Sequence, residues 1–378
     1  MKCSGRLTRL LLLIVLQSTH VRPITEHPAA TQFQSFNILE GNSSNISSSW
    51  YRTPITAPAN TLLCITACCR RDGFGAAFMS HISVFVYSRF AGIDFCSTPW
   101  GHLQHGIDGR TMFGFVGGAR YGPMTAHLRQ RGSGVTPIQA DRIMRFPNAL
   151  YRDEAFVASV RSLVREHYFA SPEERPPLRF FDEAYLNVAI HVRRGDIMNS
   201  QLFGGKYEFR RVPDEAYLSC VGAILGRTNA TATNPGSGSR PARPLAFHIF
   251  TDGQKHELSA LAKAITRLNL GGAPTTLHES NNRIAPEAAT YALKTTFHHL
   301  VKADVLLMSR SSLSQAAAFV RPYEPKLSSY GNLLPNGFHR GITFVPAAFG
   351  YSPRREGVEH SGGALWGDVE KLLFAIPC

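Results

Sequence analysis

The chain has 378 residues, with 40 Lys and Arg against 27 Asp and Glu, for a formal net charge of +13. Its 44% apolar content is that of a globular protein with room for about two or three cored domains, which excludes a disordered or low-complexity polypeptide. The basic balance favours anionic partners such as nucleotides, acidic glycans or membrane surfaces, but no basic run with interleaved aromatics marks a nucleic-acid binder.

At the N-terminus, Lys2, Arg6 and Arg9 precede the apolar run Leu10 to Leu16 and then the polar Gln17-Ser18-Thr19-His20. The run is far shorter than the ~20 residues that span a bilayer, so residues 1–22 are expected to be a secretory signal peptide or a short signal-anchor. Membrane contact would be limited to that anchor. Asn-x-Ser/Thr sequons at Asn42, Asn45 and Asn229 agree with passage through the secretory pathway. Beyond Cys3, the cysteines Cys64, Cys68, Cys69, Cys96, Cys220 and Cys378 are even in number, which predicts up to three disulfides in an oxidising compartment. Cys64, Cys68 and Cys69 have no second ligand pair at zinc spacing, so a structural metal is the poorer reading.

Residues 23–60 are rich in Ser, Thr, Asn and Pro and read as a flexible stem. The stretch Asp72-Gly73-Phe74-Gly75 then opens an apolar helix, and Gly92 to Cys96 reads as the strand after it. In such an α/β unit Gly73 and Gly75 allow a tight turn and close backbone approach, at the wall of a cleft or at an ordinary strand-to-helix connection. Phe156, Val157, Val160, Leu163 and Val164 recur at helical spacing over Glu154 to Glu166. The Pro-rich stretch from Ser171 to Leu178 ends that helix and sets the expected boundary between domains at 61–175 and 176–378.

The second half alternates. Strands are predicted at Tyr185–Val192, Pro244–Thr251 and Asp304–Ser309, and helices at Pro213–Leu225, Lys255–Leu268, Ala289–Lys302 and Leu313–Val320. This order implies a doubly wound, largely parallel sheet. From Gly226 to Pro241 the composition is low in complexity and reads as an exposed loop insertion.

Chemistry concentrates at the ends of the strands. Val188-Ala-Ile-His191-Val-Arg193-Arg194-Gly-Asp196 places two arginines after an apolar strand, with His191 and Arg193 on one face and Val192 and Arg194 on the other. Two such guanidiniums need a polyanion or paired carboxylates, because an isolated buried charge costs several kcal/mol, roughly, even after relaxation. A diphosphate would satisfy both. Arg194-Gly195-Asp196 is also a tripeptide that adhesion receptors recognise when an exposed loop displays it, but here it follows a buried-looking strand.

Two further stretches follow in order: Phe247-His-Ile-Phe-Thr-Asp252-Gly, and Phe297-His-His through Asp304 to Ser311-Ser312. Together with the double-arginine segment they resemble the three ordered motifs of GDP-fucose-dependent fucosyltransferases. The best match is to the α1,6-fucosyltransferase group, which includes bacterial enzymes that fucosylate chitin-type oligosaccharides. The resemblance covers residues 186–320 well, with a fainter echo near Gly73. It implies a GT-B-like fold of two Rossmann-like domains, GDP-fucose as donor, a glycan or glycoprotein acceptor and a Golgi-lumenal or secreted location. It also implies inverting transfer with no cofactor; the alternatives are a transferase that uses another GDP-sugar and a catalytically silent secretory protein that binds a nucleotide sugar or a glycan.

On this reading Arg193 and Arg194 hold the β-phosphate and leaving oxygen, with Arg194 in the rate-critical role. Arginines can do by bidentate hydrogen bonding what Mg²⁺ often does, and no Asp-x-Asp pair near a strand end suggests a metal. Ser311 and Ser312 would cradle phosphate at a helix N-terminus, or simply cap it. His191 would contact the nucleotide or pack against Arg193. Asp196 would cap the next helix or orient an arginine, and Asp252 would line the nucleotide or hold a turn. A general base for the acceptor hydroxyl is expected after the arginines. Glu208 and Asp214 lie there, with Glu208 the first choice, but their spacing departs from the α1,6 pattern. Thr296 stands where α1,6 relatives carry an aspartate that contacts guanine. The chain also lacks the coiled-coil stem and SH3-like module of animal α1,6 enzymes, so linkage and acceptor do not carry over.

Overall fold

Two parallel sheets organise the computed structural model, which describes residues 62–67, 73–91, 94–125, 135–140, 154–171, 173, 175–198, 211–232, 243–279, 285–321, 342–346 and 376–377. The expected signal segment and stem, Glu208, Cys68, Cys69, Cys378 and the stretch 233–242 lie outside these residues. Residues Leu62–Cys378 form one compact unit. No helix among the described residues is long and apolar enough to cross a membrane.

The smaller sheet has the order β2-β1-β3, from β1 (Leu62–Ala67), β2 (Asp94–Phe95) and β3 (Val135–Ala140). Helix α1 (Phe74–Ala91) links β1 to its parallel neighbour β2, as the glycine turn predicts. Strands β1 and β3 were not anticipated. Leu62–Ala67 is a six-residue apolar run without alternation, a pattern that periodicity alone cannot assign. A disulfide joins Cys64 of β1 to Cys96, just beyond β2. Helices α2 (Gly109–Phe115) and α3 (Glu154–Phe169) follow.

The larger sheet contains β4 (Leu186–Val192), β5 (Leu245–Thr251), β6 (Thr276–Glu279), β7 (Val305–Leu307), β8 (Ile342–Val345) and β9 (Ile376–Pro377). Its order is β6-β5-β4-β7-β8-β9, every pair parallel. Every residue of β4 and β5 is buried, as expected of strands covered by helices on both faces. Between the strands run α4 (Gly195–Met198), α5 (Asp214–Ala232), α6 (Lys255–Leu268), α7 (Pro286–Lys302) and α8 (Ser312–Val320). Leu258, Leu261, Ala262 and Ile265 form the buried stripe of α6, and Glu257 accepts a 2.9 Å hydrogen bond from the backbone N–H of Gln254 at its start. Pro286 opens α7 where its missing N–H costs nothing. Helix α5 runs to Ala232, so the first part of the expected loop insertion, including Asn229, is helical. Leu225 through Ala232 contains no proline, and the first true breaker comes later, at Pro235.

An aromatic cluster ties helices from both halves together. Phe74 of α1 meets Phe297 of α7 edge-on at 5.1 Å, and Tyr168 of α3 and Phe115 of α2 approach the same ring at 5.7 and 6.2 Å. Each such ring contributes about 1.5–3 kcal/mol by burial alone. Two buried arginines close helix ends: Arg321 donates to the carbonyls of Leu300 (2.7 Å) and Asp304 (3.2 Å), and Arg161 to those of Ala318 (2.8 Å) and Phe319 (3.2 Å). Burial lowers the Arg321 guanidinium to about 9.

Histidines fill the same interior. His81 is enclosed by Phe95, Trp100, Phe113 and Tyr121. His248 of β5 lies 3.3 Å from His278 of β6 (Nδ1 to Nε2) and 3.2 Å from Asn187 Oδ1, and the rings of Phe180 and Phe181 pack against His299 of α7. Burial, reinforced by neighbouring basic groups, lowers His81, His278 and His298 to about 3 and His248 to about 4 from the ordinary 6.5. These imidazoles are neutral in the folded protein and bind protons below pH 6.5 only on unfolding. Stability is therefore complete above pH 6.5 and is lost as pH falls towards 3–4. Urea denaturation should show a clearly lower midpoint at pH 5 than at pH 7.5, and His81→Leu should shrink the difference.

Candidate functional site

The strand order reverses between β4 and β7, because the chain steps outward from β4 to β6 and then returns to the other side of β4. In doubly wound sheets this reversal opens a crevice beyond the carboxyl ends of the two strands, where the connecting helices depart in opposite directions. Strand β4 ends in Val192 and feeds Arg193 and Arg194, and β7 ends in Leu307 and feeds Ser309 to Ser312. Two of the three segments singled out by sequence therefore flank the reversal, and Asp252 lies next door at the end of β5.

His191 spans the two central strands. Its Nδ1 shares a 2.7 Å hydrogen bond with Ser309 Oγ, and both residues are buried. Burial lowers this imidazole to about 4, partly offset by Asp252, so it is neutral at pH 7. This bond links the end of β4 to the segment that follows β7.

Arg194 is only 3% exposed, and Gly195–Met198 is a helical turn, so the Arg-Gly-Asp tripeptide is not displayed as an adhesion ligand. Its backbone N–H donates to Asp252 Oδ1 at 2.7 Å, and that of Gly195 donates to the same oxygen at 3.0 Å. Its Nη1 donates to the carbonyl of Arg193 at 3.1 Å, and its Nη2 donates to Asp214 Oδ1 in an ion pair. Asp252 is thus the carboxylate that folds the end of β4 onto the end of β5. The approach is close enough that a Cβ on Gly253 would lie 2.5 Å from that of Arg194, and one on Gly195 would lie 2.7 Å from the Asp252 carbonyl. Arg193 is half-buried beside it.

Ser311 is the N-cap of α8: its Oγ accepts the backbone N–H of Leu313 at 3.2 Å, and Ser312 is the first helical residue, partly exposed. Gly75, at the start of α1, abuts this N-terminus, where a Cβ would meet the backbone carbon of Ser312 at 2.6 Å. The close approach expected of the glycine turn is therefore made to α8. Helices α1 and α8 meet at their N-terminal ends, and both dipoles favour an anion there. Thr296, on α7, is buried. Asp196 lies in α4 but its side chain is outside the described residues, as is Glu208. Among the described residues no three His, Cys, Asp or Glu side chains are grouped to hold a metal ion.

Solved structures similar to this chain are crystal structures of NodZ. One is an α1,6-fucosyltransferase soaked with GDP-fucose, 12% identical, matched over 69% of this chain and 93% of that one at a TM-score of 0.35. The fucosyltransferase NodZ from Bradyrhizobium matches at 12% identity over 69% and 94%, with a TM-score of 0.36. A form of the α1,6-fucosyltransferase co-crystallised with GDP matches at 12% over 69% and 93%, with a TM-score of 0.37. No family model and no curated protein matches the chain.

Asp214, which with Glu208 lies in the segment where a general base is expected, has its Oδ1 engaged by Arg194. It directly follows Pro213 at a helix start, where the first turn favours an acid. Asp252→Ala would leave the amides of Arg194 and Gly195 without their acceptor, at about 1–3 kcal/mol for each buried donor. The variant should unfold at distinctly lower urea than wild type, and Asp252→Asn, which keeps an acceptor oxygen, should recover part of the loss.

Proposed function

We propose that the protein is a glycosyltransferase that moves L-fucose from GDP-fucose to a glycan acceptor with inversion and without a metal ion. The observation that carries this reading is the placement of Arg193-Arg194 and Ser311-Ser312 on opposite lips of the β4/β7 reversal, at the end of a helix-covered parallel sheet. The three motifs at 186–320, ordered as in GDP-fucose-dependent fucosyltransferases, supply the donor class.

Breaking the bond between fucose and a nucleoside diphosphate builds negative charge on the leaving β-phosphate. In this reading a diphosphate in the crevice accepts hydrogen bonds from Arg193 and Arg194, and the N-terminus of α8 adds the positive end of a helix dipole. Such groups are most effective when water is excluded and their orientation is set beforehand. Arg194 answers to both conditions, being buried and held at both terminal nitrogens. His191, neutral and bonded to Ser309, acts from below by keeping the two lips at a fixed distance. Attack by the acceptor hydroxyl on the opposite face of the sugar needs a base. Glu208 keeps that role in the proposal, since Asp214 is committed to Arg194.

In this reading residues 61–175 form the acceptor-side domain and 176–378 the donor domain, each Rossmann-like as in a GT-B fold. The N-terminal signal and the Cys64–Cys96 disulfide support work in the Golgi lumen or outside the cell. An α1,6 linkage to GlcNAc is the pattern of the α1,6 group and enters the proposal as one option only, because linkage and acceptor do not carry over to this chain. Thr296, in the place of the guanine-contacting aspartate, favours a second reading in which another GDP-sugar is the donor.

Calorimetry of the purified chain with GDP and GDP-fucose, with EDTA or with Mg²⁺, tests the proposal. Binding of both should be equal in the two conditions and lost in Arg194→Ala, and transfer should fall by about 10²–10³-fold or more, as when a charge-stabilising donor is removed. Binding that requires Mg²⁺, or an Arg194→Ala enzyme of near-normal rate, would overturn it.

A further inference from the structure

The donor-site reading leaves one contact unexplained. Asp214 opens α5, 20 residues beyond Arg194, and is 35% exposed, whereas the guanidinium that it grips is 3% exposed. An aspartate with access to water gains little from such a pair. The arginine gains a great deal, because among the described residues the other hydrogen-bond partner of its guanidinium is the neutral carbonyl of Arg193.

The contact is also built to be rigid. Tyr217, one turn further along α5 and on the same face as Asp214, is fully buried and donates its hydroxyl proton to the carbonyl of His191 at 3.3 Å. Helix α5 is thus docked onto the end of β4 at two points, one on each side of Arg193. The Arg194 main chain is held by Asp252 at 2.7 Å, its Nη1 by the Arg193 carbonyl at 3.1 Å and its Nη2 by Asp214. A guanidinium is planar, so fixing one N–H on each terminal nitrogen fixes the plane, and with it the directions of the N–H groups that remain.

We propose that Asp214 is the positioning residue of this site: it sets the plane of the Arg194 guanidinium so that the remaining N–H groups are aimed before the donor arrives, without itself touching donor or acceptor. The inference rests on the proposed function, and it accounts for the departure of Asp214 from the spacing expected of a base. An aimed guanidinium needs no reorganisation as charge develops on the leaving phosphate. An unaimed one finds the same phosphate with the wrong geometry, which affects rate more than affinity.

Asp214→Ala and Asp214→Asn test this, the second retaining an oxygen that can accept from Nη2. The first readout needs no ligand: the rate at which phenylglyoxal modifies Arg194, followed by peptide mass mapping. Asp214→Ala should raise that rate several-fold and Asp214→Asn should leave it near wild type. The second is turnover against binding. In Asp214→Ala, release of GDP from GDP-fucose should fall by about 10²-fold in kcat, as expected for a misplaced catalytic group. Calorimetric affinity for GDP should change far less, and Asp214→Asn should restore most of the rate.

Unchanged Arg194 reactivity in a folded Asp214→Ala chain would overturn the proposal. So would a lower melting temperature with kcat per folded molecule intact, since that describes an ion pair that only stabilises the fold. An altered pH profile with both variants equally inactive would make Asp214 the base instead, and would also overturn it. A wild-type chain that binds no GDP, while Asp214→Ala still releases Arg194 to the reagent, would overturn the donor-site reading and leave Asp214 orienting Arg194 towards some other anion.

Discussion

A guanidinium buried at the end of a buried strand is the constraint around which the site is assembled. The cost of taking Arg194 out of water is large, and it is met only by bringing charge and dipoles to it from three directions. That requirement fixes the start of α5 through Asp214 and the backbone path out of β4 through the Arg193 carbonyl. Asp252 fixes the turn from β5 through the amides that follow the strand. Two glycines, Gly195 and Gly253, are the sequence cost of the resulting crowding, since neither position has room for a Cβ.

The same charge is useful only because of where the sheet places it. Strand order reverses between β4 and β7, the place where doubly wound sheets open a crevice, and the His191–Ser309 bond ties the two strand ends together there. The packed ends of α1 and α8 supply a second positive feature next to the arginines, with Gly75 allowing their backbones to touch. On the proposed function, the arginines and the helix N-termini would hold a diphosphate and stabilise the charge that it gains on departure. Nothing in this set is specific to one sugar.

Beneath the site, the interior is unusually rich in imidazoles. His248, His278 and His299 pack with Phe180, Phe181 and Phe250 between the sheet and α7, and His81 sits in an aromatic enclosure further along α1. As neutral rings they pack as aromatics. The energetic consequence is a core that tolerates neutral and mildly basic conditions, because burial and the neighbouring basic groups hold His248 and His278 neutral.

Local pattern was enough for β4, β5 and β7 and for the helices α5 to α8. The range of α6, Lys255–Leu268, was legible, and Leu258, Leu261 and Ile265 recur within it at helical spacing. The double arginine, Asp252 and the Ser311-Ser312 pair could be placed at strand ends for the same reason. Strands β1, β3 and β6 were not legible, being four to six residues long and without clean alternation, so that only pairing in a sheet defines them. Nor were the partners. The sequence by itself determined β4, β5 and β7, the helices α5 to α8 and the polar residues that follow those strands, since these depend on neighbours within one or two turns. Only the tertiary structure decided that His191 faces Ser309 across 118 residues, that Asp252 holds a backbone, and that Asp214 serves Arg194, because a buried charge selects its partners by distance in space.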